Sequence, residues 1–230
     1  MYRLIAVCAA ASLATGCGLI DPDIADFDLS LPEKELTVDS ADWMLSTDAT
    51  LPAVPCQAMP MACDTAVQAY CADGESCAGS CDGTNCAVTV GVELWHMFNL
   101  ALEKPELEQI DGQPLVDVTI ERIFYRVTEN SFNVDTPPLT IYAAPEAITD
   151  TDDGQAEPIG TIPVVSAGTL VADGEVMLTP TGRETMARYL RSYSTPFNII
   201  IGGDIVLSAG DPMPNGRMVT VVGVEAHAGI

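Results

Sequence analysis

Basic residues are scarce in this chain. Nine Lys and Arg stand against 33 Asp and Glu, which gives a net charge of −24 at pH 7. Such a charge repels phosphate backbones and anionic lipid surfaces, so it argues against nucleic acid as a partner and favours cations and basic proteins. Aromatic residues make up only 6% of the chain, which leaves few side chains to stack on sugar rings.

Signatures of catalysis are also missing. The chain has two histidines, no HExxH pair, no GxSxG turn and no glycine-rich phosphate loop. His96 stands between Trp95 and Met97 in an apolar strand-like segment, which predicts a packed side chain, and His227 near the end is expected to be exposed. We therefore expect no enzyme activity and no cofactor. A hydrolase that uses two of the many carboxylates is the remaining enzymatic alternative.

No CxxC pair occurs among the eight cysteines. Cys8 falls in the N-terminal apolar stretch and Cys17 ends it. The other six are Cys56, Cys63, Cys71, Cys77, Cys81 and Cys86. Six clustered cysteines in an exported chain predict three disulfides, with zinc ligation as the alternative. Fifteen pairings are possible, and the spacing does not choose among them.

The first residues have the profile of a signal peptide. Arg3 precedes an apolar stretch from Leu4 to Ala14, which as a helix spans about 16 Å, about half of a bilayer core. Residues 14–17, Ala-Thr-Gly-Cys, resemble the lipobox of bacterial lipoproteins, in which the chain is cut before the cysteine and the thiol receives a diacylglycerol. The resemblance implies lipidation of Cys17. Leu13 lies four residues before the cysteine instead of three, so cleavage after Ala14 and plain secretion remain the alternative.

Gly18 follows the cysteine where an aspartate would retain a lipoprotein in the inner membrane, and the enterobacterial sorting rule then implies the outer membrane. The sequence predicts a signal peptide at 1–16, a lipidated tether at 17–25 and a body at 26–230. The body contains a cysteine-rich insert at 55–86 that has few branched aliphatic residues to bury. We expect a short helix from Asp64 to Tyr70 inside this insert, with Asp64 as its N-cap, and loops elsewhere in it.

The body reads as a series of strands. Alternating or β-branched segments predict strands at 27–32, 34–39, 87–98, 116–130, 138–145, 158–165, 174–180, 197–210 and 216–229. The alternation in the fourth of these shifts face near Ile123, which predicts a β-bulge. Residues 105–110 predict one helical turn, and Asn215-Gly216 predicts a hairpin between the last two strands.

One longer helix is expected at about 181–192. Thr181 and Glu184 have the spacing of a capping box, and Met186, Tyr189 and Leu190 follow at helical intervals. The fold class is therefore mainly β, an antiparallel β-sandwich with one short helix and a disulfide-rich loop insert. The order of elements in the last hundred residues resembles LEA-type (water-stress) β-sandwich domains, a family that implies no catalytic residues.

A loop rich in carboxylates is a candidate calcium site. Asp150, Asp152, Asp153 and Glu157 surround Gly154, with hard oxygen ligands near a residue that permits a sharp bend. The alternative is a solvated acidic loop.

Taken together, the sequence predicts a non-catalytic lipoprotein anchored in the cell envelope, with a binding or structural role. Its expected partner is an envelope protein or glycan, and the membrane is reached through the lipid anchor. The competing hypothesis is a calcium-dependent adhesion or carbohydrate-binding module.

Overall fold

The computed structural model describes residues 26–46, 50–57, 61–71, 77–104 and 117–229. The predicted signal peptide, the lipid site Cys17, the tether and the helical turn at 105–110 lie outside these residues. Within the described part of the chain, no helix has the length and apolarity that a bilayer crossing requires.

The described residues form eleven strands, which confirms a mainly β fold. They are β1 (Asp26–Ser30), β2 (Lys34–Asp39), β3 (Cys77–Asp82), β4 (Asn85–Phe98), β5 (Asp117–Asn130), β6 (Leu139–Pro145), β7 (Glu157–Ile162), β8 (Val171–Glu175), β9 (Met177–Leu178), β10 (Phe197–Leu207) and β11 (Arg217–Gly229).

Two antiparallel sheets build the sandwich. The first has the order β1-β11-β5-β8, with β2 also paired to β11, and the second has the order β3-β4-β10-β6-β7-β9. Strands β1 and β2 follow one another along β11 on either side of Pro32. The region before the cysteines is therefore part of the body, as the alternation of its residues predicted.

One buried cluster draws on both sheets, because alternate residues of each strand point inward. Phe98 of β4 stacks on Phe197 of β10 with 5.6 Å between ring centroids, and Tyr189 lies 5.2 Å from Phe197. Met186 and Leu190 are fully buried in the same cluster, so the helix that carries them closes over the core.

Helices are few and short: α1 (Ala62–Tyr70), α2 (Leu100–Glu103) and α3 (Pro180–Arg191), besides a 3-10 helix at Ser40–Trp43. The predicted helix at 181–192 is α3. Its predicted capping box is wrong, because the N-cap is Thr179, whose side chain accepts the Gly182 N–H at 2.8 Å. Pro180 occupies the first turn, where its missing N–H costs no hydrogen bond.

The segment at 174–180 is two strands and not one. β8 pairs with β5 in the first sheet, while β9 pairs with β7 in the second. Between them the buried Val176 donates its N–H to the carbonyl of Ile123 at 2.9 Å. The chain therefore crosses from one sheet to the other at Val176, immediately before the cap of α3.

The predicted hairpin at Asn215-Gly216 is also wrong, since β10 and β11 belong to different sheets. The Asn215 N–H donates to Asn133 Oδ1 at 2.7 Å, and the Gly216 N–H donates to Ser40 Oγ at 3.0 Å. Gly216 has φ +129°, and a Cβ there would collide with the carbonyl of Ser131. The glycine permits a close approach of two chain segments and does not serve a two-residue turn.

The cysteine-rich insert holds three disulfides, which confirms that its six cysteines pair with one another. The bonds are Cys56–Cys81, Cys63–Cys86 and Cys71–Cys77. The insert is not mainly loop: β3 extends the second sheet beside β4, and α1 packs on β3. α1 starts after Met61, so Asp64 is a first-turn residue and not the predicted N-cap.

Candidate functional site

An acidic cleft of about 720 Å³ opens on the sandwich. Its walls come from β2, the 3-10 helix, β4, β6, β10 and the loop that follows β6. Six carboxylates line it: Asp39, Asp42, Glu93, Asp150, Asp152 and Asp204. Among the described lining residues there is no Lys, Arg or His, so these charges have no basic neighbour in the wall.

Local hydrogen bonds hold half of these carboxylates in place. Asp39 caps the 3-10 helix by accepting the Ala41 N–H at 2.9 Å. Glu93 accepts the N–H of Thr151, and Asp150 accepts the Asp152 N–H at 2.7 Å. The hydrogen bond from Thr151 to Glu93 fastens the loop after β6 to the surface of β4.

A glycine lets this loop come close. Gly202 on β10 lies under Thr151, and a Cβ at Gly202 would be 2.7 Å from Thr151 Cγ2. A larger residue at this position would push the loop, with Asp150 and Asp152, away from the strands. The narrow backbone of β10 is therefore part of what assembles the cleft.

Aromatic groups lie beside the carboxylates. Trp43 and Tyr142 line the cleft, and Trp43 is buried by stacking on Phe132 at 5.8 Å between ring centroids. Trp95 shares the outward face of β4 with Glu93, since residues two apart on a strand point the same way. Trp95 is 51% exposed. A ligand that enters the cleft thus meets acidic groups first and π-surfaces next to them.

The four predicted calcium ligands are divided between two roles. Asp150 and Asp152 line the cleft. Asp153 Oδ1 accepts the Gln155 N–H at 2.8 Å, and Glu157 accepts hydrogen bonds from Thr185 and Arg188. Among the described residues, the groups of three or more potential ligands within 4.8 Å of one another include none of these four.

His96 is packed as the sequence predicted. Its ring lies edge-on to Phe98, 6.2 Å between centroids. Burial lowers the pKa of His96 below its ordinary value, Lys34 lowers it further, and Glu103 opposes both effects. The imidazole is consequently held in its neutral form near neutral pH. His227 is 42% exposed on the first sheet, with Nδ1 3.2 Å from Asp28 Oδ1.

Most of the cleft was not predicted from the sequence. Asp39, Glu93 and Asp204 come from three strands that are far apart along the chain. Each reads in the sequence as the polar, solvent-facing position of an alternating strand. The one local sign was glycine inside strand patterns, at Gly91 and at Gly202-Gly203, because glycine within a strand marks a close approach.

Comparisons with models of protein families, with curated proteins and with solved structures gave no match. The functional argument that follows uses this chain's own residues.

Proposed function

We propose that this chain is a non-catalytic lipoprotein of the cell envelope, held in the outer membrane by lipid on Cys17, and that its acidic cleft binds a basic segment of an envelope partner. The observation that carries the binding role is the cleft itself, in which six carboxylates stand without a basic neighbour among the described lining residues.

Electrostatics support a cationic ligand. A concave surface lined by one sign of charge focuses the field and raises the local concentration of ions of opposite charge. Trp95 and Tyr142 add faces on which Arg or Lys side chains form cation–π contacts. A peptide with alternating basic and small residues would match the carboxylates along the cleft.

The anchor supports an envelope partner. Asp26, the first residue of β1, lies nine residues after Cys17. A fully extended chain covers at most about 3.6 Å per residue, so the lipid and the body are separated by at most about 32 Å. A lipidated Cys17 would thus keep the cleft within reach of proteins at the membrane surface.

Binding is tested with a basic peptide and a neutral peptide of equal length, by fluorescence anisotropy at several salt concentrations. We expect the basic peptide to bind and its affinity to fall as salt rises. A Glu93→Gln/Asp204→Asn variant should bind at least about tenfold more weakly, since each lost charge contact near a surface contributes about 1 kcal/mol.

The matched control is Glu35→Gln/Glu175→Gln, which removes two exposed carboxylates outside the cleft. It lowers the net charge by the same amount and should retain the affinity. Equal losses in both variants would mean that general charge attracts the peptide, and absence of binding at low salt would overturn the proposal.

The anchor is tested separately, with a fatty-acid probe in cells. We expect the probe to label the wild-type protein and not Cys17→Ser, which should move from the membrane fraction to the soluble fraction. If mass and fractionation are the same for both proteins, the lipid anchor is disproved.

Calcium-dependent adhesion is the second candidate, because Asp150 and Asp152 face the same cleft as Glu93. Oxygen ligands of this kind suit Ca²⁺. It predicts that millimolar calcium raises the melting temperature of the wild type and not of Asp150→Asn/Asp152→Asn. A melting temperature that calcium does not change would eliminate it.

A further inference from the structure

Three potential metal ligands meet on the solvent face of the first sheet. A ring nitrogen of His227 and one carboxylate oxygen each from Asp28 and Glu121 lie within 4.8 Å of one another. None of the three lines the acidic cleft. The cluster combines one imidazole with two carboxylates, a set that differs in kind from the all-oxygen cleft.

Strand pairing brings two of the ligands together. Asp28 of β1 lies directly opposite His227 of β11 in the antiparallel ladder. Directly opposite residues on one face have Cβ atoms about 5 Å apart, so their side chains meet without distortion of the backbone. On the other side of β11, Thr119 of β5 lies opposite His227.

A β-bulge supplies the third ligand. The register between β5 and β11 shifts between Ile120 and Arg122, which leaves Glu121 as the extra residue. Ile120 and Ile123 are both buried. Regular alternation would turn either Glu121 or Arg122 into the core, whereas the bulge leaves both facing solvent. The sequence predicted this bulge near Ile123.

The two outward residues then take different partners. Arg122 pairs with Glu225, with 2.7 Å between Nε and Oε2, so that carboxylate is engaged. The Glu121 carboxylate is directed to His227 and Asp28, while its backbone carbonyl accepts from Arg183 at 3.3 Å. The bulge thereby places a carboxylate where the ladder alone would supply only Asp28.

We propose that Asp28, Glu121 and His227 bind a divalent transition-metal ion of the Zn²⁺ type, with water completing the coordination. Zn²⁺ and its first-row neighbours accept mixed imidazole and carboxylate ligands, whereas Ca²⁺ and Mg²⁺ prefer oxygen alone. Ligand atoms around a tetrahedral Zn²⁺ are about 3.4 Å apart. Rotation of these exposed side chains closes the remaining distance.

Metal binding would fasten the N-terminal strand. Among the described strands, β1 pairs with β11, and an ion on this cluster links β1 to β5 across β11. β1 is also the strand nearest in sequence to Cys17. The ion would therefore strengthen the body at the strand through which an anchored protein is held.

The test is titration of the whole, disulfide-intact protein with ZnCl₂ by calorimetry, and with CoCl₂ by visible absorption. We expect one site, Co²⁺ bands typical of mixed nitrogen and oxygen ligands, and slower hydrogen exchange of β1 amides when metal is bound. His227→Gln and Glu121→Gln should each weaken Zn²⁺ binding at least about tenfold, because even indirect changes to metal ligands cost 10–100-fold.

Glu35→Gln is the control, since it removes an exposed carboxylate from the same sheet outside the cluster. It should bind Zn²⁺ as the wild type does, and millimolar Ca²⁺ should not displace the ion. Far-UV circular dichroism verifies that each variant is folded.

Two results would overturn the proposal: Zn²⁺ affinity that is equal in wild type and His227→Gln, or no binding at 1 mM Zn²⁺. Binding of the basic peptide to the cleft should be unchanged in His227→Gln, so failure of the metal site and failure of the proposed function give different results.

Discussion

At the scale of single residues, the start of α3 depends on one hydroxyl group. Thr179 accepts the Gly182 N–H at 2.8 Å, whereas Thr181 is exposed within the first turn. Replacing a Thr N-cap by Ala typically costs about 1 kcal/mol. We expect Thr179→Ala to lower the free energy of unfolding by about that amount in urea denaturation.

Thr181→Ala is the matched control for this prediction. It removes the same hydroxyl two residues later and should change the free energy of unfolding by less than about 0.5 kcal/mol, as surface substitutions usually do. A larger loss for Thr181→Ala than for Thr179→Ala would restore the capping box that the sequence suggested.

The sequence alone could not choose between these two threonines. Thr181 with Glu184 fits a capping box, and Thr179 followed by Pro180 fits an N-cap with proline in the first turn. The choice is made by packing, because Gly182 lies directly against the backbone of Ile159. That contact fixes where the first turn meets β7, and no local pattern reports it.

His96 gives a pH dependence at the same scale. Burial lowers its pKa in the folded protein, with a further contribution from Lys34 and opposition from Glu103. The unfolded chain therefore binds a proton more readily than the folded one. The contribution of this group to stability is full above its unfolded pKa of about 6.5 and decreases as the pH falls below that value.

We expect the free energy of unfolding of the wild type to fall more steeply between pH 7.5 and pH 5 than that of His96→Gln, in which this proton uptake is absent. The many carboxylates titrate in both proteins, so the difference between the two slopes isolates His96. Parallel slopes would show that the ring is not desolvated in solution.

At the scale of elements, alternation predicted where strands run but not which strands are neighbours. β2 has the predicted bounds, and the N-terminal segment joins the body as expected. The crossings at Val176 and at Asn215-Gly216 were not predicted, because a strand's own residues define its buried face without naming the sheet that it joins. The acidic cleft depends on those neighbours, so it became visible only in the fold.

The insert yields a prediction about its disulfides. Cys63–Cys86 joins buried residues 23 apart, whereas Cys71–Cys77 joins residues 6 apart, of which Cys77 is partly exposed. In the chain-entropy model the longer loop contributes about 1 kcal/mol more to stability. We expect Cys63→Ser/Cys86→Ser to lower the melting temperature more than Cys71→Ser/Cys77→Ser.

Peptide mapping of the oxidised protein should recover the same three pairs, and mild reductant should leave Cys63–Cys86 until last, because thiolate attack needs access to sulfur. A mapped pair that joins Cys71 to any cysteine other than Cys77 would contradict the arrangement of β3 and α1.

At the scale of the whole molecule, one sign of charge governs both stability and binding. With a net charge of −24, the folded chain brings carboxylates closer together than the unfolded chain does, and this repulsion destabilises the compact state. Several pairs offset it locally, among them Arg122–Glu225 and Lys34–Glu103. Basic residues are too few to pair with most of the acidic ones.

Salt should therefore stabilise the fold while it weakens the proposed binding. We expect the melting temperature to rise by several degrees between 20 mM and 300 mM NaCl, because screening relieves the repulsion and 1 kcal/mol corresponds to about 2–4 °C for a chain of this size. Over the same range the basic peptide should lose affinity, since its attraction to the cleft is screened as well. Opposite responses to one variable identify the carboxylates as the cause of both, whereas a partner held by apolar contacts would keep its affinity as the protein became more stable.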